Sequence, residues 1–127
     1  MDIYREEILD HFKNPRNHGK VKKSSVEAEE RNASCGDVIK IGLRIKKGKI
    51  EEVGFEGEGC AVSIAATSML TEMIKGKSLD KIKEMSEEEM IKRLGIKISM
   101  GRRKCASLGL VTVKKALKES RLKVEVK

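Results

Sequence analysis

The spacing of apolar residues changes character once along this chain, at Gly57-Glu58-Gly59, and that change limits the folds open to it. Upstream, Ile39, Ile41, Leu43 and Ile45 alternate with Lys40, Gly42, Arg44 and Lys46. A period of two marks a strand with one buried and one wet face. Downstream, Val62, Ala65, Ala66, Met69, Leu70 and Met73 recur at helical spacing, in a helix that runs to about Lys75 and ends at Gly76. Strands first and helices afterwards predict an α+β fold: a small three-stranded antiparallel sheet with helices packed on one face.

The flanking segments fill in this plan. Lys47-Gly48 turns the chain, and residues 50–55 return as an antiparallel strand. Val53 and Phe55 share a face while Ile50 is out of phase, which predicts a bulge near Glu51-Glu52. Residues 24–34 form a more polar strand whose apolar members are Val26, Ala28 and Ala33. An N-terminal helix, capped by Asp2, carries Tyr4, Ile8, Leu9 and Phe12 on one face and stops at Asn14-Pro15. His11 and His18 are expected in surface or capping roles. Ser78 caps a short helix to about Met85, Ser86 and Glu89 open another as a capping box, and Gly95 closes it. After a linker over residues 96–101, a long C-terminal helix over residues 103–120 carries Ala106, Leu110, Val113 and Leu117 on one side. Residues 121–127 alternate like a strand.

Charged residues make up 38% of the chain and aromatics 2%, so the core must be aliphatic. The formal net charge of +8 raises the question of nucleic acid. The basic residues are scattered, however, with Glu interleaved, and no nucleic-acid motif or stacking aromatics accompany them. A solvated basic surface is the simpler reading. No stretch approaches the roughly 20 apolar residues needed to span a bilayer, and the start, Met1-Asp2-Ile3-Tyr4-Arg5-Glu6-Glu7, is unlike a signal peptide. A soluble cytoplasmic protein with one domain over residues 1–127, and with neither nucleic acid nor membrane as partner, is the expectation.

Three cysteines, Cys35, Cys60 and Cys105, are an odd number and argue for thiols or metal ligation over a disulfide framework. Cys35 and Asp37 share the parity of Ile39, Ile41 and Leu43, so a strand continued back that far turns both toward the core. A carboxylate there costs several kcal/mol unless a cation or strong donors meet it. Cys60 follows Gly57-Glu58-Gly59 and opens the most apolar helix, and Cys105 falls in the first turn of the last helix. Helix starts favour thiolate, the form that binds metal and attacks sulfur. Any one of these cysteines alone would more often be a small packed hydrophobe. Cys35, in a polar segment beside Asp37, suits that reading least. Taken together, three thiolates and a carboxylate make one soft-metal site, suited to tetrahedral Zn²⁺ or to the iron of an iron–sulfur cluster and not to Mg²⁺ or Ca²⁺. One hard oxygen in an otherwise soft set suits a cargo that is assembled and then released.

These residues resemble a known family, the IscU/NifU/SufU-type scaffold proteins of iron–sulfur cluster assembly (NifU N-terminal domain-like). The matching segments are Asn14-Pro15-Arg16-Asn17-x-Gly19, Cys35-Gly36-Asp37, the run from Gly57 through Cys60-Ala61-x-Ser63 to Ser68-Met69-Leu70-Thr71-Glu72, and Arg102-x-x-Cys105-Ala106-x-Leu108. They cover nearly the whole chain in order. The resemblance implies an α+β fold with a three-stranded sheet. It implies a scaffold, not an enzyme with turnover on a small molecule, although a sulfurtransferase-like role belongs to one branch. It implies that a cysteine desulfurase delivers persulfide sulfur, that iron arrives, and that a transient 2Fe–2S cluster forms on Cys35, Asp37, Cys60 and Cys105 before passing to acceptor apo-proteins. Cys105 is the first choice as sulfur acceptor and Cys35 the second. A monomer or a cluster-bridged homo-oligomer is the expected form.

Two departures from the family pattern stand out. Lys104 occupies the place of a histidine that IscU-like members carry, and Ile98-Ser99-Met100-Gly101 replaces their Leu-Pro-Pro-Val-Lys chaperone-recognition stretch. Neither the auxiliary ligand nor that stretch carries over. Arg102 resembles the SufU branch instead, yet the separation of Cys60 from Cys105 leaves no room for that branch's insertion. The alternative function is therefore a zinc-dependent sulfurtransferase, or persulfide acceptor, of the SufU type, with Zn²⁺ on the same four residues. A third reading is a small zinc-stabilised interaction module without chemistry.

Overall fold

The computed structural model describes residues 3–33 and 36–126, the last six of these by backbone alone. In chain order the elements are α1 (Ile3–Lys13), β1 (Val26–Asn32), β2 (Asp37–Lys46), β3 (Lys49–Glu58), α2 (Ala61–Ile74), α3 (Leu79–Glu84), α4 (Glu87–Leu94), a 3₁₀ turn (Met100–Arg102) and α5 (Arg103–Val126). The three strands form one antiparallel sheet in the order β1-β2-β3. This is the α+β arrangement expected from the change in period.

Alternation along β2 does what it predicts. Asp37, Ile39, Ile41 and Leu43 are fully buried, while Val38, Lys40, Gly42 and Arg44 are half-buried on the other face. Where β2 meets β3, Arg44 faces Glu52 and Ile45 faces Ile50, so Glu51 is the extra residue of the expected bulge. The bulge restores phase and lets Ile50 join Val53 and Phe55 in the core. The buried face receives α5 against β1 and β2, and α2 against β3 and α5. Its apolar members include Met69 and Leu70 of α2 and Ala106, Val113 and Leu117 of α5, the aliphatic core that the composition requires. The outer edge of β3 is closed by loops: Gly19 N–H donates to Phe55 O at 2.8 Å, and Ile50 N–H to Lys77 O at 3.0 Å. Covering an edge in this way satisfies backbone groups that would otherwise pair with another chain.

The helix signals fall where expected. Ser78 Oγ accepts the Lys81 N–H, Ser86 Oγ accepts the Glu89 N–H, and Gly95 ends α4 at φ 75°. The Asp2 cap lies outside the described residues.

Two expectations are corrected. The apolar face of α1 is not the face that docks: Ile8 and His11 are buried, whereas Tyr4, Leu9 and Phe12 are 47%, 50% and 39% exposed. The helix meets the body chiefly through α2, and it is oriented there by a polar contact, described below, that a count of apolar residues does not register. The tail is not a strand either, since α5 continues through Val126. With no glycine or proline after Gly109, propagation of a helix already nucleated adds one hydrogen bond per residue. None of the helices is long and apolar enough to cross a membrane.

Candidate metal centre

The centre gathers the starts of three elements. Asp37 begins β2, paired across the ladder with Asn32 at the end of β1. Cys60 is the N-cap residue of α2, with extended backbone (φ −74°, ψ 166°), and Cys105 lies in the first turn of α5. One ligand atom from each of Asp37, Cys60 and Cys105 lies within 4.8 Å of the others. Residues 23 and 45 positions apart along the chain thus converge on one point. Cys35, the remaining expected ligand, lies outside the described residues, two positions before Asp37.

Asp37 Oδ1 accepts the Cys60 backbone N–H at 3.0 Å, while Oδ2 is buried and has no hydrogen-bond partner among the described residues. A buried carboxylate oxygen without a donor costs several kcal/mol unless a cation meets it. The Cys60 and Cys105 sulfurs lie within 4.8 Å of an oxygen of this carboxylate. Two thiolates and one carboxylate oxygen at this separation fit a small, soft-leaning ion with a further position open, as Zn²⁺ or iron takes. The Asp37 Oδ2 orphan therefore fits a metal occupant on the chemistry of this chain alone.

The neighbours explain why Asp37 can sit there. A Cβ at Gly59 would lie 2.5 Å from both Asp37 Oδ1 and Ser63 Oγ, so any side chain at 59 would push the carboxylate away. Ser63 Oγ donates to Cys60 O at 3.2 Å and tightens the first turn of α2. Gly36 N–H donates to Asn32 O at 2.9 Å, and Asn32 Nδ2 donates to Cys105 Sγ at 3.6 Å.

An exposed thiol suits persulfide transfer, yet Cys105 is fully buried, and Cys60 is the half-buried one. The start of α5 packs against the end of β1, and Asn32 lies at the sulfur. Lys104 is exposed.

Among the described residues neither histidine joins this group. His18 is exposed and sets its ring edge-on to Phe55, at 5.5 Å between centroids. His11, expected at the surface, is buried, with Nδ1 2.7 Å from Ser68 Oγ. Ser68 Oγ also accepts the Arg16 N–H at 2.8 Å, and Asn17 Nδ2 donates to Thr71 Oγ1 at 2.9 Å. These bonds fasten α1 and the loop over residues 14–19 to α2, the helix that Cys60 caps. Burial holds the His11 imidazole below its ordinary pKa; the Arg16 charge adds to this and Glu72 opposes it.

Sequence reasoning did not single out Asn32. Its signal lay in strand parity: Val26, Ala28 and Asn32 share the buried face of β1, and a polar amide at a buried position needs partners.

Comparisons with known proteins follow this geometry. The family model described as the NifU-like N-terminal domain matches residues 3–127. The zinc-dependent sulfurtransferase SufU of Bacillus subtilis is 42% identical over 85 residues, which cover 67% of this chain and 57% of that protein. The iron–sulfur cluster assembly scaffold protein IscU 1 of Archaeoglobus fulgidus is 37% identical over 93 residues, covering 73% of this chain and 61% of that one. The chain thus spans less than two thirds of the length of these relatives. Among solved structures, a candidate cluster assembly scaffold for the SUF system of Fervidobacterium islandicum superposes with a TM-score of 0.75 at 33% identity, covering 88% of this chain and 94% of that one. The chain belongs to the NifU-like N-terminal domain family.

Proposed function

We propose that this protein is a scaffold on which a 2Fe–2S cluster is assembled and from which it is passed to acceptor apo-proteins, with Cys35, Asp37, Cys60 and Cys105 as the ligands. The observation that carries this reading is the buried Asp37 carboxylate, grouped with two cysteine sulfurs and with one oxygen unpartnered among the described residues. A scaffold must hold its cargo and also let it go. A single hard oxygen in a sulfur set, at the start of a strand, gives a ligand that exchanges more readily than thiolate. The iron and sulfur are cargo, so the protein need not turn over a small molecule.

The chemistry asked of this chain is sulfur acceptance. A cysteine thiolate attacks the outer sulfur of a desulfurase-borne persulfide. The donor's S–S bond breaks, the donor cysteine leaves as thiolate, and a new persulfide forms here. Two electrons from an external reductant then turn that sulfur into sulfide. Cys105 and Cys35 are the proposed acceptors. Because Cys105 is fully buried, delivery to it requires the start of α5 and Asn32 to move aside. The partners are accordingly a cysteine desulfurase and the acceptors, and the whole of residues 1–127 acts as one domain.

The 42% identity to the Bacillus protein supports a second reading, a zinc-dependent sulfurtransferase. There Zn²⁺ would rest on the same residues, ordering the cysteines and holding them as thiolates until sulfur arrives. Anaerobic purification with metal and acid-labile sulfide analysis separates the two. Iron with sulfide in equal amounts, gained on incubation with a desulfurase, cysteine, reductant and Fe²⁺, supports the scaffold. Zinc that survives this treatment while persulfide forms on one cysteine supports the sulfurtransferase and overturns the scaffold.

A further inference from the structure

We propose that Asn32 is a positioning residue of the centre, its side-chain amide donating to the Cys105 sulfur while its backbone carbonyl accepts the N–H of Gly36, the residue before Asp37. The inference rests on the metal-binding reading of the site given above and assigns a role to a residue that is not a ligand.

Asn32 is the last residue of β1 and stands opposite Asp37, the first of β2. The parity of Val26 and Ala28 sends its side chain to the buried face, where it is 8% exposed. From there Nδ2 reaches Cys105 Sγ at 3.6 Å, an ordinary length for a bond to sulfur, and Asn32 O accepts the Gly36 N–H at 2.9 Å. One residue thus touches the segment before Asp37 through its backbone and the start of α5 through its side chain. A side chain of similar size, such as leucine, could fill the same volume. It could not point an N–H at sulfur.

That donor matters most when Cys105 is bound as thiolate. The sulfur then carries charge and accepts, so the N–H···S contact becomes charge-assisted, and it fixes the direction of the sulfur lone pairs. Partners that hold a ligand from outside the coordination shell typically change metal affinity by about 10–100-fold when removed. Hydrogen bonds to cluster sulfurs also draw off charge and raise the reduction potential.

The test uses the whole chain, anaerobic and metal-free, in competition with a zinc chelator at fixed pH. Asn32→Leu removes the donor while keeping the branching and the number of side-chain heavy atoms, and Asn32→Ser keeps polarity but cannot span the distance. Both are expected to weaken zinc binding about 10–100-fold, with the far-ultraviolet dichroism of the apo protein unchanged. A second readout is direct: ¹⁵N-labelled wild type loaded with an NMR-active cadmium isotope should show a through-bond coupling between the metal and the Asn32 side-chain amide protons. Wild-type zinc affinity in either folded variant overturns the proposal and leaves the metal site standing. If neither variant folds, the cadmium coupling decides alone, its absence overturning the proposal. Failure of the wild-type chain to bind zinc overturns both.

Discussion

Asp37 is where the energetics of this protein are least ordinary at the residue scale. Among the described residues its carboxylate accepts one hydrogen bond, from the Cys60 N–H, and leaves Oδ2 buried without a donor. In the metal-free chain the first contact contributes about 1 kcal/mol, while the desolvated oxygen costs about 1–3 kcal/mol or more. Asp37→Ala should therefore leave the apo protein as stable as wild type, or more stable by about 1–2 kcal/mol, as read by urea unfolding with chelator present. The same substitution should slow transfer of a reconstituted cluster to an acceptor, because the exchangeable oxygen is gone. An apo Asp37→Ala chain clearly less stable than wild type would mean that the carboxylate is there for structure. Gly59 gives the converse experiment. Gly59→Ala puts a methyl 2.5 Å from Asp37 Oδ1 and Ser63 Oγ, and overpacking of this kind typically costs about 1–3 kcal/mol. Apo stability should fall by that amount and zinc binding should weaken with it, whereas wild-type zinc affinity would show that the carboxylate can move without consequence.

At the scale of elements, the centre depends on how α5 lies against α2, since each carries one of the cysteines at its start. The two helices meet at close range where Gly109 faces Thr67: a Cβ at 109 would lie 2.6 Å from Thr67 Oγ1 and 3.2 Å from Thr67 Cβ. Thr67 Oγ1 is itself tied to Ser63 O at 2.8 Å, so it has little room to yield. Gly109→Ala should force the helices apart by some tenths of an ångström and cost about 1–3 kcal/mol, despite the better helix propensity of alanine. The second contact between elements is His11 against Ser68, which joins α1 to α2. The folded state holds this imidazole below its ordinary pKa of 6.5 through burial, and then through the charge of Arg16. The unfolded chain therefore binds a proton that the folded chain resists, and the stability His11 contributes is present above 6.5 and lost as pH falls below it toward the depressed folded value. One proton limits the slope to about 1.4 kcal/mol per pH unit. Urea midpoints should decline between pH 6.5 and 5 in wild type and change less in His11→Gln. Parallel declines in both would assign the acid sensitivity to other groups.

For the molecule as a whole, what could be read in advance was what periodicity encodes. The alternation of Ile39, Ile41 and Leu43 carried Asp37 to the buried face, and the change of period after Gly59 placed Cys60 at a helix start. Contacts set by one hydrogen bond were not legible. His11 turns α1 so that Leu9 and Phe12 face outward, and the depth of Cys105 depends on how α5 meets β1, which no local pattern specifies. The same long-range character makes the centre a staple. Asp37, Cys60 and Cys105 belong to segments that the unfolded chain holds far apart, so an ion bound by all three has almost no counterpart there. Zinc at 100 times its dissociation constant should then stabilise the fold by about 2.7 kcal/mol. For a chain of 127 residues that corresponds to a Tm rise of roughly 10 °C. Cys105→Ser, which keeps the shape of the site but removes a sulfur from the buried side, should retain less than half of that shift in a thermal scan. Equal shifts in wild type and Cys105→Ser would place the bound ion somewhere other than where these three elements meet.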